Sequence, residues 1–193
     1  MTLPALIVAG DVPSPRQLTA NEQQFVRDLG EKTLKDRGLW KGKTLLTTTE
    51  VVLDTGAKTP ERYAILTYYR YDGNLGILVT VNLATKKVTN LQEHPDMPTS
   101  LTAEEIAEAD KLARANADLQ KALARYKNLD KIEADTTCAI IIDSSVPGFR
   151  HRVARMFFRD TKGNYLQLVP AVDVDLTTGA VRLDSIAGLH EKK

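Results

Sequence analysis

Pro15-Arg16-Gln17-Leu18-Thr19-Ala20 returns later in the chain as Pro98-Thr99-Ser100-Leu101-Thr102-Ala103, and Glu22 returns as Glu105. Further on, Tyr69-Arg70 answers Phe158-Arg159, and Gly73-Asn74 answers Gly163-Asn164. Val81-Asn82-Leu83-Ala84-Thr85 answers Val174-Asp175-Leu176-Thr177-Thr178. The offset grows from 83 (Glu22 to Glu105) to 93 (Val81 to Val174), as it does when loops lengthen between shared elements. Order-preserving similarity of this kind marks two copies of one supersecondary unit.

Each copy opens with helix-start chemistry. Thr19-Ala20-Asn21-Glu22 and Thr102-Ala103-Glu104-Glu105 are capping boxes, in which the threonine oxygen accepts from an amide three residues on and the glutamate reaches back to the cap amide. Ser14-Pro15-Arg16-Gln17 is an overlapping start, with proline at the first helical position. Leu18, Phe25, Val26, Leu29 and Leu34 follow at helical spacing, and Gly38 supplies a stop. Gly30 costs about 1 kcal/mol relative to alanine and marks a place where this helix can break. In the second copy Leu101 and Ile106 form a hydrophobic staple. Ile106, Ala109, Leu112 and Ala113 make one stripe, and Leu119, Ala122, Leu123 and Tyr126 another. Asn116 lies between them: either the helix breaks and Asn116 caps a restart, or one long helix carries a polar residue on its buried edge.

Strand signals follow each helix. In the first copy they cover 44–53, 62–71, 75–83 and 87–91, with turns at Asp72-Gly73 and Ala84-Thr85-Lys86. In the second they cover 138–142, 151–159, 165–176 and 180–183; Pro170 predicts a bulge or an edge, and Thr177-Thr178-Gly179 the closing turn. His94-Pro95-Asp96-Met97-Pro98 reads as the linker. Short links argue antiparallel pairing, because parallel strands need long crossovers. The expected fold is α+β: two tandem cystatin-like modules, at 14–93 and 99–187, each a helix on a four-stranded antiparallel sheet. The uncovered face of each sheet must meet solvent, the sister module or a partner.

Composition narrows function by exclusion. Lys plus Arg (26) nearly cancels Asp plus Glu (25), so the basic excess of a nucleic-acid binder is missing. A single cysteine, Cys138, rules out an intrachain disulfide and a cysteine-rich zinc site, and does not fix the compartment. No apolar run approaches the ~20 residues of a membrane span. Leu3-Pro4-Ala5-Leu6-Ile7-Val8-Ala9 lacks a basic flank, carries Pro4 and runs into Asp11; it reads as an edge strand or packed arm rather than a signal peptide.

The chain resembles the paired small domains that precede the catalytic domain of copper amine oxidases. The resemblance is carried by His94-Pro95 through Leu101-Thr102-Ala103-Glu104-Glu105-Ile106, then by Arg152-Val153-Ala154-Arg155, Asn164-Tyr165 and Val172-Asp173-Val174-Asp175-Leu176. In the first copy Pro15 to Glu22, Tyr63-Ala64-Ile65 and Val79-Thr80-Val81-Asn82-Leu83 carry it. The resemblance implies the second and third N-terminal domains in tandem, without the catalytic domain. It also implies where enzyme chemistry would have to come from: three copper histidines, two as His-x-His, and a quinone-forming tyrosine. His94, His151 and His190 are isolated, and Thr161-Lys162-Gly163-Asn164-Tyr165 is followed by Leu166 where that motif has Asp or Glu. Tyr165 therefore reads as a strand residue, and no cofactor or metal is expected.

The remaining candidates are few. Cys138 opens an apolar run and reads as a buried structural thiol; a nucleophilic pair with His151 is the alternative. Arg155 and Arg159 share one strand face, and Arg150 and Arg152 the other, so that Arg155 and Arg159 form a solvated edge or a small anion site. Tyr63, Tyr69 and Tyr71 fall on one face, opposite Tyr68, and read as packing or, if exposed, as a partner contact. Glu104-Glu105 and the pair Asp173 and Asp175 read as a helix-start pair and strand residues rather than an acid/base dyad. The expectation is a non-catalytic protein, an accessory or small subunit docking on a separate amine oxidase catalytic chain. The alternative is a stand-alone module for a small ligand or a peptide, and self-association is compatible with either.

Overall fold

A computed structural model describes residues 14, 16–56, 60–126, 132–141, 143–160 and 168–183. The opening segment 3–9, Pro15, the Thr161–Tyr165 run and His190 lie outside the described residues. In the first copy, α1 (Ala20–Asp36) precedes β1 (Thr44–Asp54), β2 (Glu61–Arg70), β3 (Leu75–Asn82) and β4 (Lys87–Pro95). In the second, α2 (Ala103–Ala115) and α3 (Ala117–Leu123) precede β5 (Ile132–Ala139), β6 (Val153–Asp160), β7 (Val172–Asp175) and β8 (Val181–Leu183). Each set of strands forms one antiparallel meander, β1-β2-β3-β4 and β5-β6-β7-β8. The tandem α+β architecture stands as the repeat implied.

Both capping boxes form, from Thr19 with Glu22 and from Thr102 with Glu105. The Ser14 start does not open a helix: Gln17 N–H donates to Ser14 O in a turn, and Thr19 is the cap. α1 runs unbroken through Gly30. Glycine stands there because the Tyr68 hydroxyl lies closer to the place of a Gly30 Cβ than real Cβ contacts allow. Asn116 breaks the second copy's helix and caps α3, its side chain accepting from Leu119 N–H at 3.1 Å. Ile106, expected in the apolar stripe, lies at the surface, while Ala109, Ala113, Leu119 and Leu123 face the sheet.

Strand boundaries shift where edges are polar. β4 reaches Pro95, so His94 and Pro95 belong to the strand and the linker begins at Asp96. β5 occupies 132–139 rather than 138–142, and Pro170 precedes β7 rather than bulging within a long strand. The first hairpin is a four-residue loop in which Gly73 and Asn74, not Asp72, take positive φ.

Alternation then sorts the faces. Ala64, Leu66 and Tyr68 of β2, with Ile77, Val79 and Val81 of β3, pack beneath Val26 and Leu34 of α1. Ala154, Met156 and Phe158 of β6, with Val172 and Val174 of β7, do the same beneath α2 and α3. Complete burial of such a side chain contributes about 1.5–3 kcal/mol, so each copy holds a core of its own.

Candidate functional site

The two copies meet around a buried arginine, with Tyr69 against its guanidinium, the Tyr71 hydroxyl on Glu105 beside it and Lys43 paired with Glu108. Arg152, just before β6, donates Nε to Glu105 Oε1 (3.0 Å) and Nη2 to Glu105 Oε2 (2.9 Å). Nη1 reaches Thr99 O (2.9 Å) and Thr99 Oγ1 (2.8 Å), and Nη2 also reaches Ser100 O (2.7 Å). All five N–H donors thus have acceptors, and the guanidinium lies 4.3 Å from the ring centroid of Tyr69. Both side chains of the pair are 1% exposed. Glu105 in turn accepts from Thr102 N–H (2.8 Å) and from the Tyr71 hydroxyl (2.6 Å). One carboxylate therefore caps α2, fixes the linker through Arg152 and receives β2's outgoing tyrosine.

The same device recurs in the first copy. Arg62 donates to Glu22 Oε1 (2.8 Å) and to Gln17 O (2.7 Å), and Gln17 is the repeat counterpart of Ser100. There the side chains keep 31% and 27% exposure. Capping-box glutamate, strand-entry arginine and loop carbonyl form a unit that both copies share and that is buried in the second. An Arg62-to-Arg152 correspondence at the same offset as Gly73 to Gly163 was the signal in the sequence.

Charge follows from these contacts. Burial opposes ionisation of Glu105, but Arg152, the Tyr71 hydroxyl and Thr102 N–H outweigh it and hold the carboxyl below its ordinary value. Burial raises the pKa of the Tyr69 and Tyr71 phenols, so both stay protonated. Burial also pushes the Cys138 thiol up, against the pull of Arg152. Its sulfur receives Arg152 Nη1 at 3.5 Å. His151 binds Asp175 instead, Nδ1 to Oδ2 at 2.6 Å. Cys138 and His151 line one cleft but are not hydrogen-bonded to each other, and the thiol has the opposite bias to an activated nucleophile.

The five residues singled out as contacts separate. Tyr69 is 1% exposed, packed between the copies with its hydroxyl on Asn74, and offers a partner no surface. Tyr71 inserts against the second copy's core. Tyr63 stays on the open face of the first sheet, donating to Glu61 Oε2 at 2.6 Å. Arg155 forms a two-pronged pair with Asp173 (2.7 and 2.8 Å), and Arg159 pairs with Asp135 at 2.9 Å. Arg182 also reaches Asp173, whose carboxyl burial would raise but Arg155 and Arg182 hold low. The open face of the second sheet thus carries matched charges on either side of Phe157. That of the first carries Val52 opposite Tyr63, Glu50 opposite Ile65, and Leu78 opposite Thr67. Val52 is 43% exposed.

Among the described residues no group of three or more His, Cys, Asp or Glu side chains is placed to hold a metal ion, and no helix is long and apolar enough to cross a membrane.

This architecture defines a tandem α+β protein with one helix-covered and one open face per sheet. Among solved structures it is similar to a copper-containing benzylamine oxidase from Hansenula polymorpha, at a TM-score of 0.53 and 17% identity. The match covers 86% of this chain and 29% of that one, so the chain spans less than a third of the oxidase's length. The resemblance to copper amine oxidases is therefore shown as a likeness of fold. No family model and no curated protein sequence matches the chain.

Proposed function

We propose that this chain is a non-catalytic docking module, an accessory or small subunit for a separately encoded amine oxidase catalytic chain. The observation that carries the reading is the asymmetry of the two open sheet faces. The second sheet sets a single aromatic, Phe157, among internally matched charges, whereas the first presents Val52, Tyr63, Ile65 and Leu78 without a covering element among the described residues. A partly apolar face on a rigid sheet suits a protein partner. The fold supports the choice of partner by analogy, since its solved counterpart forms part of a larger oxidase chain. The groups best suited to chemistry are engaged elsewhere: Glu105 in its pair with Arg152, and Cys138 in a site that favours the thiol.

The test is capture of the tagged chain from its native host, beside an Ile65→Arg variant. A stoichiometric amine oxidase catalytic chain on the wild type, depleted on the variant, is the expected result. Recovery of the wild type alone defeats the reading.

A further inference from the structure

A cleft of about 260 Å³ opens beside Arg152 where the copies join. Three connections from different parts of the chain build its polar rim: Asn74 after β2, Asp96 after β4, and Arg150 before β6. All three have positive φ, at 48°, 57° and 59°, and among the described residues only Lys86 joins them as a non-glycine in that region. Asn and Asp visit this conformation readily; for arginine it costs roughly 1–2 kcal/mol. Strain of this sort collects where a surface is built for binding.

The rim holds one positive and one negative group side by side. Asp96 takes Asn74 Nδ2 at 2.8 Å on one oxygen, and on the other only the long contacts of Arg150, at 3.3 and 3.4 Å. Arg150 is 64% exposed, and its Nε and Nη2 make those contacts, leaving other N–H donors for a ligand. His151 has Nδ1 committed to Asp175, so its second nitrogen is an acceptor when the ring is neutral. The walls are apolar: Met97, Ile140, Ile141 and Phe149, with Ile140 58% exposed.

We infer that this cleft binds a small zwitterion, an α-amino acid with an apolar side chain. Its carboxylate is received by Arg150, its ammonium by Asp96 and His151, and its side chain lies on Ile140, Ile141 and Phe149. The volume falls below that of drug-sized sites and suits a ligand of amino-acid size. A lone carboxylate would face Asp96 and a lone ammonium would face Arg150; only the zwitterion meets both charges with opposite ones. The inference is independent of the docking reading.

The full chain, labelled with 15N, is titrated with L-phenylalanine, phenylacetate and phenethylamine while amide shifts are followed. Phenylalanine is expected to give saturable shifts at Cys138, Ile140 and His151 and to bind roughly tenfold more tightly than either analogue, one charge-assisted hydrogen bond apart. Arg150→Gln should reduce phenylalanine to the level of phenethylamine, and Asp96→Asn to that of phenylacetate, while Arg155→Gln changes nothing. An advantage of about threefold or more with these variant effects supports the assignment. A smaller advantage, shifts confined to other surfaces, or indifference to both rim variants overturns it.

Discussion

Replacing Arg152 by methionine and, separately, Arg62 by methionine puts one interaction at two depths. Arg152→Met leaves Glu105 in a site where its side chain is 1% exposed, still bonded to Thr102 and Tyr71 but without its counter-charge. Breaking a buried pair by removing one partner costs about 3–5 kcal/mol. Arg62→Met leaves Glu22 at 27% exposure, where water replaces the guanidinium, and the cost falls to about 0.2–1 kcal/mol. In urea, with a slope of roughly 1–3 kcal/mol per molar, the first variant should lose about 1–5 M of midpoint and the second less than about 1 M. Far-UV circular dichroism reports both copies, and the fluorescence of Trp40, the sole tryptophan, reports the first copy's core. A double variant, Arg152→Met with Glu105→Leu, should recover part of the loss, because it removes the stranded carboxylate. Equal midpoint losses for the two arginine variants would refute the claim that burial at the junction makes this pair matter.

Three further outcomes follow from local contacts. In Gly30→Ala the new methyl meets the Tyr68 hydroxyl at a cost of about 1–3 kcal/mol, which should cancel or exceed the roughly 1 kcal/mol alanine gains in a helix, and Tyr68→Phe in the same chain should restore part of it; a Gly30→Ala chain stabilised by the full helical gain in urea melts contradicts the packing. Asn116→Ala should cost about 1 kcal/mol through loss of the α3 cap, with faster amide exchange at Leu119 as the specific sign. The pKa values of Glu22, Glu105, Asp173 and Asp175 are all lowered in the folded state, so their stabilisation is complete above the unfolded carboxylate values and lost as pH falls through the folded ones. Midpoints followed downward from about pH 5 should therefore drop. The drop should be shallower in Arg152→Met; an unchanged slope there denies Glu105 its share.

Local sequence carried the helices, and long-range pairing set what it did not carry. Thr19 and Thr102 are legible because a cap is made within four residues, whereas at Asn116 the sequence leaves a cap and a continuous helix both open and the structure decides for the cap. Tyr68 faces away from Tyr63 and Tyr69 because strand alternation is geometric, and of these three tyrosines Tyr68 alone lies in the first core. The boundaries of β4 and β5 were hidden because both are edge strands with polar residues outward, which blurs the two-residue period. The junction was hidden for a different reason. Nothing near Tyr69 or Tyr71 in sequence announces Arg152 or Glu105; their meeting depends on how the second copy folds back against the first. The open rim of Asn74, Asp96 and Arg150 is likewise assembled from three distant turns.

Hydrogen–deuterium exchange of the chain, alone and mixed with an amine oxidase catalytic chain, asks whether the first sheet's open face receives a protein partner. Slowed exchange is expected in peptides spanning Val52, Tyr63, Ile65 and Leu78, with the paired charges of Arg155, Asp173 and Arg182 unchanged. Slowing confined to the second sheet, or none at all, would contradict it.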